Sequence, residues 1–158
     1  MFRGRFEYIL DTKGRLAIPA KFREILTTQF DERLIITNYD ECLWAYPVPV
    51  WQELEKKVSK LPQFLEEVKA LQRVFISAAC ECPLDKQGRI LLPQSLRDYA
   101  GLSGESLRLV SEQGGEPAVL VGMTQRIEIW SRVRWNKAFD DSKKQLSNMQ
   151  EKLAELGI

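Results

Sequence analysis

The chain has 158 residues, 44 % of them hydrophobic and 28 % charged, which is the profile of an ordinary globular protein of one or two small domains. No apolar run approaches a membrane span, and the charged start Met1-Phe2-Arg3-Gly4-Arg5 is not followed by a signal-peptide core, so the cytoplasm is the expected compartment and no membrane partner is expected. A net charge of +1 excludes a polyanion binder that works by bulk charge, and the lack of any histidine removes the usual nucleophile-activating base.

Taken in chain order, the first predicted unit is a hairpin with strands at Glu7 to Leu10 and Arg15 to Ile18. Asp11 followed three positions later by Gly14 fits a type I turn whose glycine can take a positive φ. Pro19 cannot continue a strand ladder but is pre-set for a first helical turn, so Ala20 to Leu26 is predicted helical, with Phe22, Ile25 and Leu26 on one face. Arg33 to Thr37 and Cys42 to Tyr46 read as strands joined through Asn38, Tyr39 and Asp40, with Pro47 and Pro49 ending the pairing. From Val50 to Phe75 the pattern is helical, broken at Pro62, with Phe64, Val68, Leu71 and Phe75 along one stripe. Ile76 to Leu84 returns to strand, and Pro83 assigns it to an edge or an irregular position.

At Asp85 the chain repeats itself. D-K-Q-G-R-I-L-L-P-Q-S-L-R, Asp85 to Arg97, matches D-T-K-G-R-L-A-I-P-A-K-F-R, Asp11 to Arg23. The match superposes Asp11 on Asp85, Gly14 on Gly88, Arg15 on Arg89, Pro19 on Pro93 and Arg23 on Arg97. The second helix carries Leu96, Tyr99 and Ala100 on one face and ends at Gly101, a left-handed stop. Strands follow at Ser106 to Ser111, Ala118 to Gly122 and Arg126 to Trp130, with a flexible loop at Glu112 to Pro117. The duplication extends to I-E-I-W-S-R-V-R-W, which sets Trp135 where L-W-A-Y-P-V-P-V-W has Trp51. Ser131 is a suitable N-cap for a long last helix. Its seam of Trp135, Phe139, Ser142, Leu146, Met149, Leu153 and Leu156 suits either a partner helix or the chain's own helices.

The expected fold class is therefore α+β and mainly β. It comprises repeat 1 at 5–50, a helical connector at 51–78, repeat 2 at 79–132 and a C-terminal helix at 133–158. The candidate site is the pair of hairpin tips. Arg15 and Arg89 follow the turn glycines directly, and each can either pair with its own Asp or reach outward. Residues 1–23 carry a net +4 from Arg3, Arg5, Lys13, Arg15, Lys21 and Arg23 against Glu7 and Asp11, leaving the rest of the chain at −3. A basic end on a neutral body is what a phosphate-facing surface requires, because attraction depends on the local field.

These motifs, M-F-R-G at the start, L-D-x-K-G-R-L-x-I-P-A-K-F-R and L-D-K-Q-G-R-I-L-L-P-x-x-L-R-x-Y-A-G-L, resemble the MraZ family of bacterial proteins, built from two tandem AbrB-like (SpoVT-AbrB) domains. The resemblance covers nearly the whole chain. It implies a swapped-hairpin β-barrel in which the two internal repeats stand in for the two chains of an AbrB dimer. It also implies ring-shaped homo-oligomers that bind short G-rich direct repeats of double-stranded DNA, on the nucleoid, and repress their own division and cell-wall gene cluster. By motif position the arginines that face DNA are Arg15 and Arg89, reading guanine edges, with Arg3, Arg5, Lys13 and Lys86 on phosphates and Asp11, Gly14, Asp85 and Gly88 shaping the turns. The chain departs from the family's pattern in the length of its Glu112 to Pro117 loop, which puts the pairing of Ala118 to Gly122 in question, and in Gln87, where the first copy has Lys13.

Two other functions compete with DNA binding. An antitoxin-like protein-interaction module shares the fold, but antitoxins append a disordered charged tail where this chain has a regular apolar seam. An Asp11/Asp85 dyad would make an aspartic-protease-like enzyme, but each Asp is followed by turn residues, a lysine and an arginine that keep it ionised. No cofactor motif is present, and no catalytic residue is assigned. Cys42, Cys80 and Cys82 form no disulfide framework; Cys80 and Cys82 share a strand face, but with no histidine and one further cysteine a structural metal site is not expected.

Overall fold

The structure is a computed structural model that describes residues 1–103 and 116–158. Repeat 1 supplies strands β1 (Phe2–Leu10) and β2 (Arg15–Ala17), helix α1 (Ala20–Gln29), and strands β3 (Arg33–Tyr39) and β4 (Cys42–Pro47). α2 (Val48–Ser59), α3 (Glu66–Leu71) and a π-helical turn, Gln72–Ile76, follow β4. Repeat 2 returns with β5 (Cys80–Pro83), β6 (Arg89–Leu91), α4 (Gln94–Ala100), β7 (Glu116–Thr124) and β8 (Arg126–Ser131), and the chain ends in α5 (Arg132–Asn148) and α6 (Gln150–Glu155).

The two repeats are interlocked by exchange of their first strands. β1 pairs antiparallel with β7, and β5 pairs antiparallel with β3, so each repeat opens on a strand that completes the sheet of the other. β4 and β8 join the halves in a six-stranded sheet of order β1-β7-β8-β4-β3-β5. β2 and β6 form a separate two-stranded ribbon. Among the described residues the swapped pairing is therefore present, carried by two sheets rather than by one hydrogen-bonded closed barrel. The register exposes an internal two-fold relation: Leu16 faces Ile90 at the middle of the ribbon and Trp44 faces Glu128 at the middle of the β4–β8 pair.

Alternation decides what is buried. Leu16 and Ile90 point inward from the ribbon to join Phe2, Leu10, Leu34, Ile36, Leu43, Leu120, Ile127 and Ile129. Phe22 and Leu26 of α1 and Leu96 and Ala100 of α4 close the same core. Each fully buried aliphatic side chain there contributes about 1.5–3 kcal/mol over its exposed state.

Several expectations shift in physical detail. β1 begins at Phe2 rather than Glu7, because β7 supplies a partner along its whole length. α2 begins at Val48, since Pro49 lies in the first turn, where the missing N–H has no helical partner to lose. Ile76 stays in the π-helical turn, so the returning strand is only Cys80–Pro83, at the sheet edge as Pro83 requires. Phe64 precedes α3 and is 94 % exposed, whereas Val68 and Phe75 are buried; the expected four-residue stripe loses its first member. Pro117 sits inside β7 opposite Ile9, and Ala118 to Gly122 pairs with both β1 and β8, so that pairing is regular. The expected strand at Ser106 to Ser111 and most of the Glu112 to Pro117 loop lie outside the described residues.

Gly101 does take the left-handed conformation, φ 68°, at the end of α4, and Ser131 caps α5 by accepting from the Arg134 N–H at 3.3 Å. The C-terminal seam divides. Trp135 packs beside Trp130 and stacks on Phe139, docking α5 on the chain's own sheet. Around and after the break at Met149, by contrast, Leu146, Met149 and Leu156 are exposed.

Candidate nucleic-acid interface

Both hairpin tips are built by the same hydrogen bonds. The Gly14 N–H donates to the Asp11 carbonyl at 3.0 Å, and the Gly88 N–H donates to the Asp85 carbonyl at 3.0 Å. Asp11 Oδ1 accepts the Lys13 and Arg15 backbone N–H groups at 2.9 and 2.8 Å. Asp85 Oδ1 accepts those of Gln87 and Arg89, both at 2.9 Å. Gly14 and Gly88 hold φ at 85° and 73°, the left-handed region that the D-x-x-G spacing anticipates.

The swap then brings the two tips together. Arg15 lies opposite Leu91, Leu16 opposite Ile90 and Ala17 opposite Arg89. The ribbon is fastened at its ends by the Leu92 N–H on the Gly14 carbonyl, 2.8 Å, and the Ile18 N–H on the Gly88 carbonyl, 2.9 Å. Because Leu16 and Ile90 point into the core, Arg15, Ala17, Arg89 and Leu91 share the outer face, with Arg15 and Arg89 as a diagonal pair about 7–8 Å apart at the backbone. Two arginines 74 positions apart in sequence thus stand on one outward surface.

Each arginine also meets its own aspartate. Arg15 Nε donates to Asp11 Oδ2 at 2.6 Å and Arg89 Nε to Asp85 Oδ2 at 2.9 Å, so the intra-turn pairing and the outward position coexist. Burial pushes the Asp11 carboxyl up, but the Arg15 backbone N–H, the Arg15 guanidinium and the Lys13 N–H together hold it below its ordinary value. The Arg89 backbone N–H does most to lower Asp85, aided by the Arg89 guanidinium and opposed by a smaller desolvation. An acid–base dyad needs one carboxyl held protonated by the other; these two are both held ionised, each by its own arginine.

Lys13 and Lys86 are exposed on the same tips. Arg3 and Arg5 are not gathered there. At about 3.3 Å per residue, β1 sets Arg3 about 23 Å and Arg5 about 17 Å from Leu10, at the other end of the strand. Arg5 lies over the Phe139 ring at 4.7 Å and near Trp135 at 5.9 Å, and its strand neighbour Glu7 accepts from Arg132 at 2.8 Å. The charge that clusters in the first 23 residues is divided in space, because a strand is the most extended element that could separate it.

Arg23 and Arg97, equivalent in the two copies, have a role that their sequence positions left unassigned. A Cβ on Gly14 would lie 2.8 Å from Arg97 Nε, and a Cβ on Gly88 would lie 2.5 Å from an Arg23 terminal nitrogen. Each turn therefore rests on the helix arginine of the other repeat, and Arg97 Nε donates to the Leu92 carbonyl at 3.1 Å. The identity of the two arginines in the alignment was the available signal.

The thiols stand apart from this surface. Cys80 and Cys82 have sulfurs 3.8 Å apart on β5, with no group of three or more metal-binding side chains among the described residues. Burial pushes the Cys42 and Cys82 thiols far up. No helix among the described residues is long and apolar enough to cross a membrane.

Duplicated halves with exchanged strands share one outward ribbon that carries Arg15 and Arg89, so the scaffold is internally dimeric. Comparison with known proteins agrees. A family model described as "MraZ protein, putative antitoxin-like" matches twice, at residues 1–74 and 75–156, which is the duplication seen in the strands. The chain is 41 % identical over 158 residues to the transcriptional regulator MraZ of Moorella thermoacetica, covering all of both chains. It is 43 % identical over 157 residues to that of Roseiflexus castenholzii, covering 99 % of each, and 38 % identical over 158 residues to that of Caldicellulosiruptor saccharolyticus, covering all of both. The chain belongs to the MraZ family of transcriptional regulators.

Proposed function

We propose that the protein regulates transcription by binding double-stranded DNA in a sequence-specific way through the β2–β6 ribbon, as a homo-oligomer that engages short G-rich direct repeats. The observation that carries this reading is the joint outward position of Arg15 and Arg89, flanked by the exposed Lys13 and Lys86, on a ribbon whose other face is core. A two-stranded ribbon is narrow enough to enter a major groove, and arginine is the side chain best suited to guanine edges. Lys13 and Lys86 hold phosphates. Arg3 and Arg5 are left out of this surface, since the length of β1 and the α5 contact hold them elsewhere.

Oligomerisation, as a ring of identical protomers, is supported by apolar side chains that the isolated chain leaves in water: Phe64 at 94 % exposure beside Leu61 and Leu65, and Leu146, Met149 and Leu156 on the C-terminal helices. The site of action is the nucleoid in the cytoplasm, and the regulated genes are the protein's own division and cell-wall cluster, which it represses. The antitoxin-like alternative asks for an extended charged tail; the helical course of 132–148 and 150–155 weighs against it.

Spacing tests the proposal. Several identical weak contacts gain affinity by simultaneous engagement, which requires neighbouring repeats to face the same side of the duplex. The repeated element is first enriched from random duplexes. Fluorescence titration then compares a two-repeat duplex with variants lengthened by about half a helical turn and by about one turn. Affinity drops with the half turn and recovers in part with the full turn; equal affinity for all three refutes oligomeric engagement.

A further inference from the structure

The two tips are alike in charge and unlike in what their arginines can do. Lys13 and Gln87 occupy equivalent positions, while Lys86 stands where the first copy has Thr12, so each tip carries two cations and one carboxylate. Attraction to phosphate does not separate them. The guanidinium groups do. Arg15 commits only Nε, to Asp11 at 2.6 Å, and among the described residues neither of its terminal nitrogens has an acceptor. Arg89 commits Nε to Asp85 at 2.9 Å and also Nη2 to Gln87 Oε1 at 2.5 Å. Its side chain is correspondingly less exposed, 29 % against 36 %.

A bidentate contact to a guanine edge needs two donors of one guanidinium aimed in parallel. Arg15 presents that fork ready-made. Arg89 has its Nε–Nη2 edge occupied by the two side chains of its own turn, so its remaining end-on pair, Nη1 and the second Nη2 hydrogen, is held at two points and can be re-aimed at a base edge only by breaking the Gln87 bond. We propose that Gln87 is a specificity-determining residue: by holding Arg89 it makes the Arg15 hairpin the base reader and the Arg89 hairpin a backbone anchor, so that one protomer reads an element without dyad symmetry. This rests on the ribbon being the DNA surface. It turns an internal two-fold scaffold, which would otherwise match a palindrome, into a directional one.

The test replaces arginine by lysine, which keeps the positive charge and loses the planar fork. Wild type, Arg15→Lys, Arg89→Lys and Gln87→Ala are each equilibrated with a pool of duplexes carrying a randomised central segment, and bound duplexes are sequenced; melting curves check that each variant is folded. Wild type enriches an element lacking dyad symmetry. Arg15→Lys loses preference for it by about tenfold or more, the scale of one bidentate contact, while Arg89→Lys keeps the same element. Gln87→Ala frees Arg89 and enriches elements with a second guanine determinant related to the first by a dyad. The proposal is overturned if the two lysine variants lose preference equally, if the wild-type element is already dyad-symmetric, or if Gln87→Ala selects the wild-type element unchanged; each of these leaves DNA reading by the ribbon intact. If the wild type enriches nothing, DNA reading itself has failed, and the assignment of Gln87 falls with it.

Discussion

Replacing Gly14 by alanine probes the swap and the turn at once. At φ 85° a residue with a Cβ costs roughly 1–2 kcal/mol. The added carbon would also lie 2.8 Å from Arg97 Nε and 3.0 Å from the Leu92 carbonyl oxygen. The arginine end can yield, but yielding breaks its 3.1 Å bond to that same carbonyl, worth about 1 kcal/mol. The sum is about 2–3 kcal/mol, which for a chain of this size lowers Tm by about 4–12 °C. Thermal unfolding followed by circular dichroism, at one fixed protein concentration, measures it. Combining Gly14→Ala with Arg97→Ala should recover the steric part, leaving a coupling of about 1 kcal/mol, while Gly14→Ala with Arg23→Ala should be additive within about 0.5 kcal/mol. Gly88 should show the mirror result, coupled to Arg23 and independent of Arg97. Coupling of Gly14 to Arg23, the arginine of its own repeat, would refute the exchanged arrangement of the hairpins.

Other expectations follow from the same geometry. Both turn carboxyls titrate below their ordinary value near 3.8, so their stabilising effect is complete above about pH 4 and is lost as pH falls through the lower folded value. The Tm gap between wild type and Asp11→Asn/Asp85→Asn should therefore shrink from pH 7 to pH 3; a constant gap would mean that the charges are not engaged. Cys42 and Cys82 are buried, with thiols pushed far up by desolvation, so iodoacetamide under native conditions should modify Cys80 alone. Mass-spectrometric detection of labelled Cys42 in folded protein would contradict the packing of β4.

What the sequence made legible was local. The D-x-x-G spacing announced both turns, Pro19 and Pro93 marked the entries to α1 and α4, Gly101 and Ser131 marked helix ends, and the duplication identified Arg15 and Arg89 as equivalent. The pairing partners were not legible from patterning, because alternation in β1 is satisfied by any sheet that covers Phe2 and Leu10; only the family resemblance implied the exchange. The N-terminal charge does not gather into one patch, since proximity along a strand is not proximity in space: Arg5 ends under α5. The Phe64 to Phe75 stripe fails at its first residue because it requires the helix after Pro62 to include residue 64, whereas residues 63–65 are not helical and α3 begins only at Glu66. The clamp of Gln87 on Arg89 lay beyond reading, although the Lys13/Gln87 difference that produces it was visible.

The most direct measurement is a fluorescence anisotropy titration of wild type and the Arg15→Ala/Arg89→Ala double variant against a duplex carrying the element that the wild type selects. Both side chains point away from the core, so the double variant should stay folded with its size in solution unchanged, its Tm lowered only by loss of the two turn ion pairs. The expected result is loss of specific binding, with each lost guanine or phosphate contact costing up to about 1–3 kcal/mol and the loss multiplied over the protomers engaged. Wild-type affinity in a folded double variant would contradict the assignment of the ribbon as the DNA-binding surface.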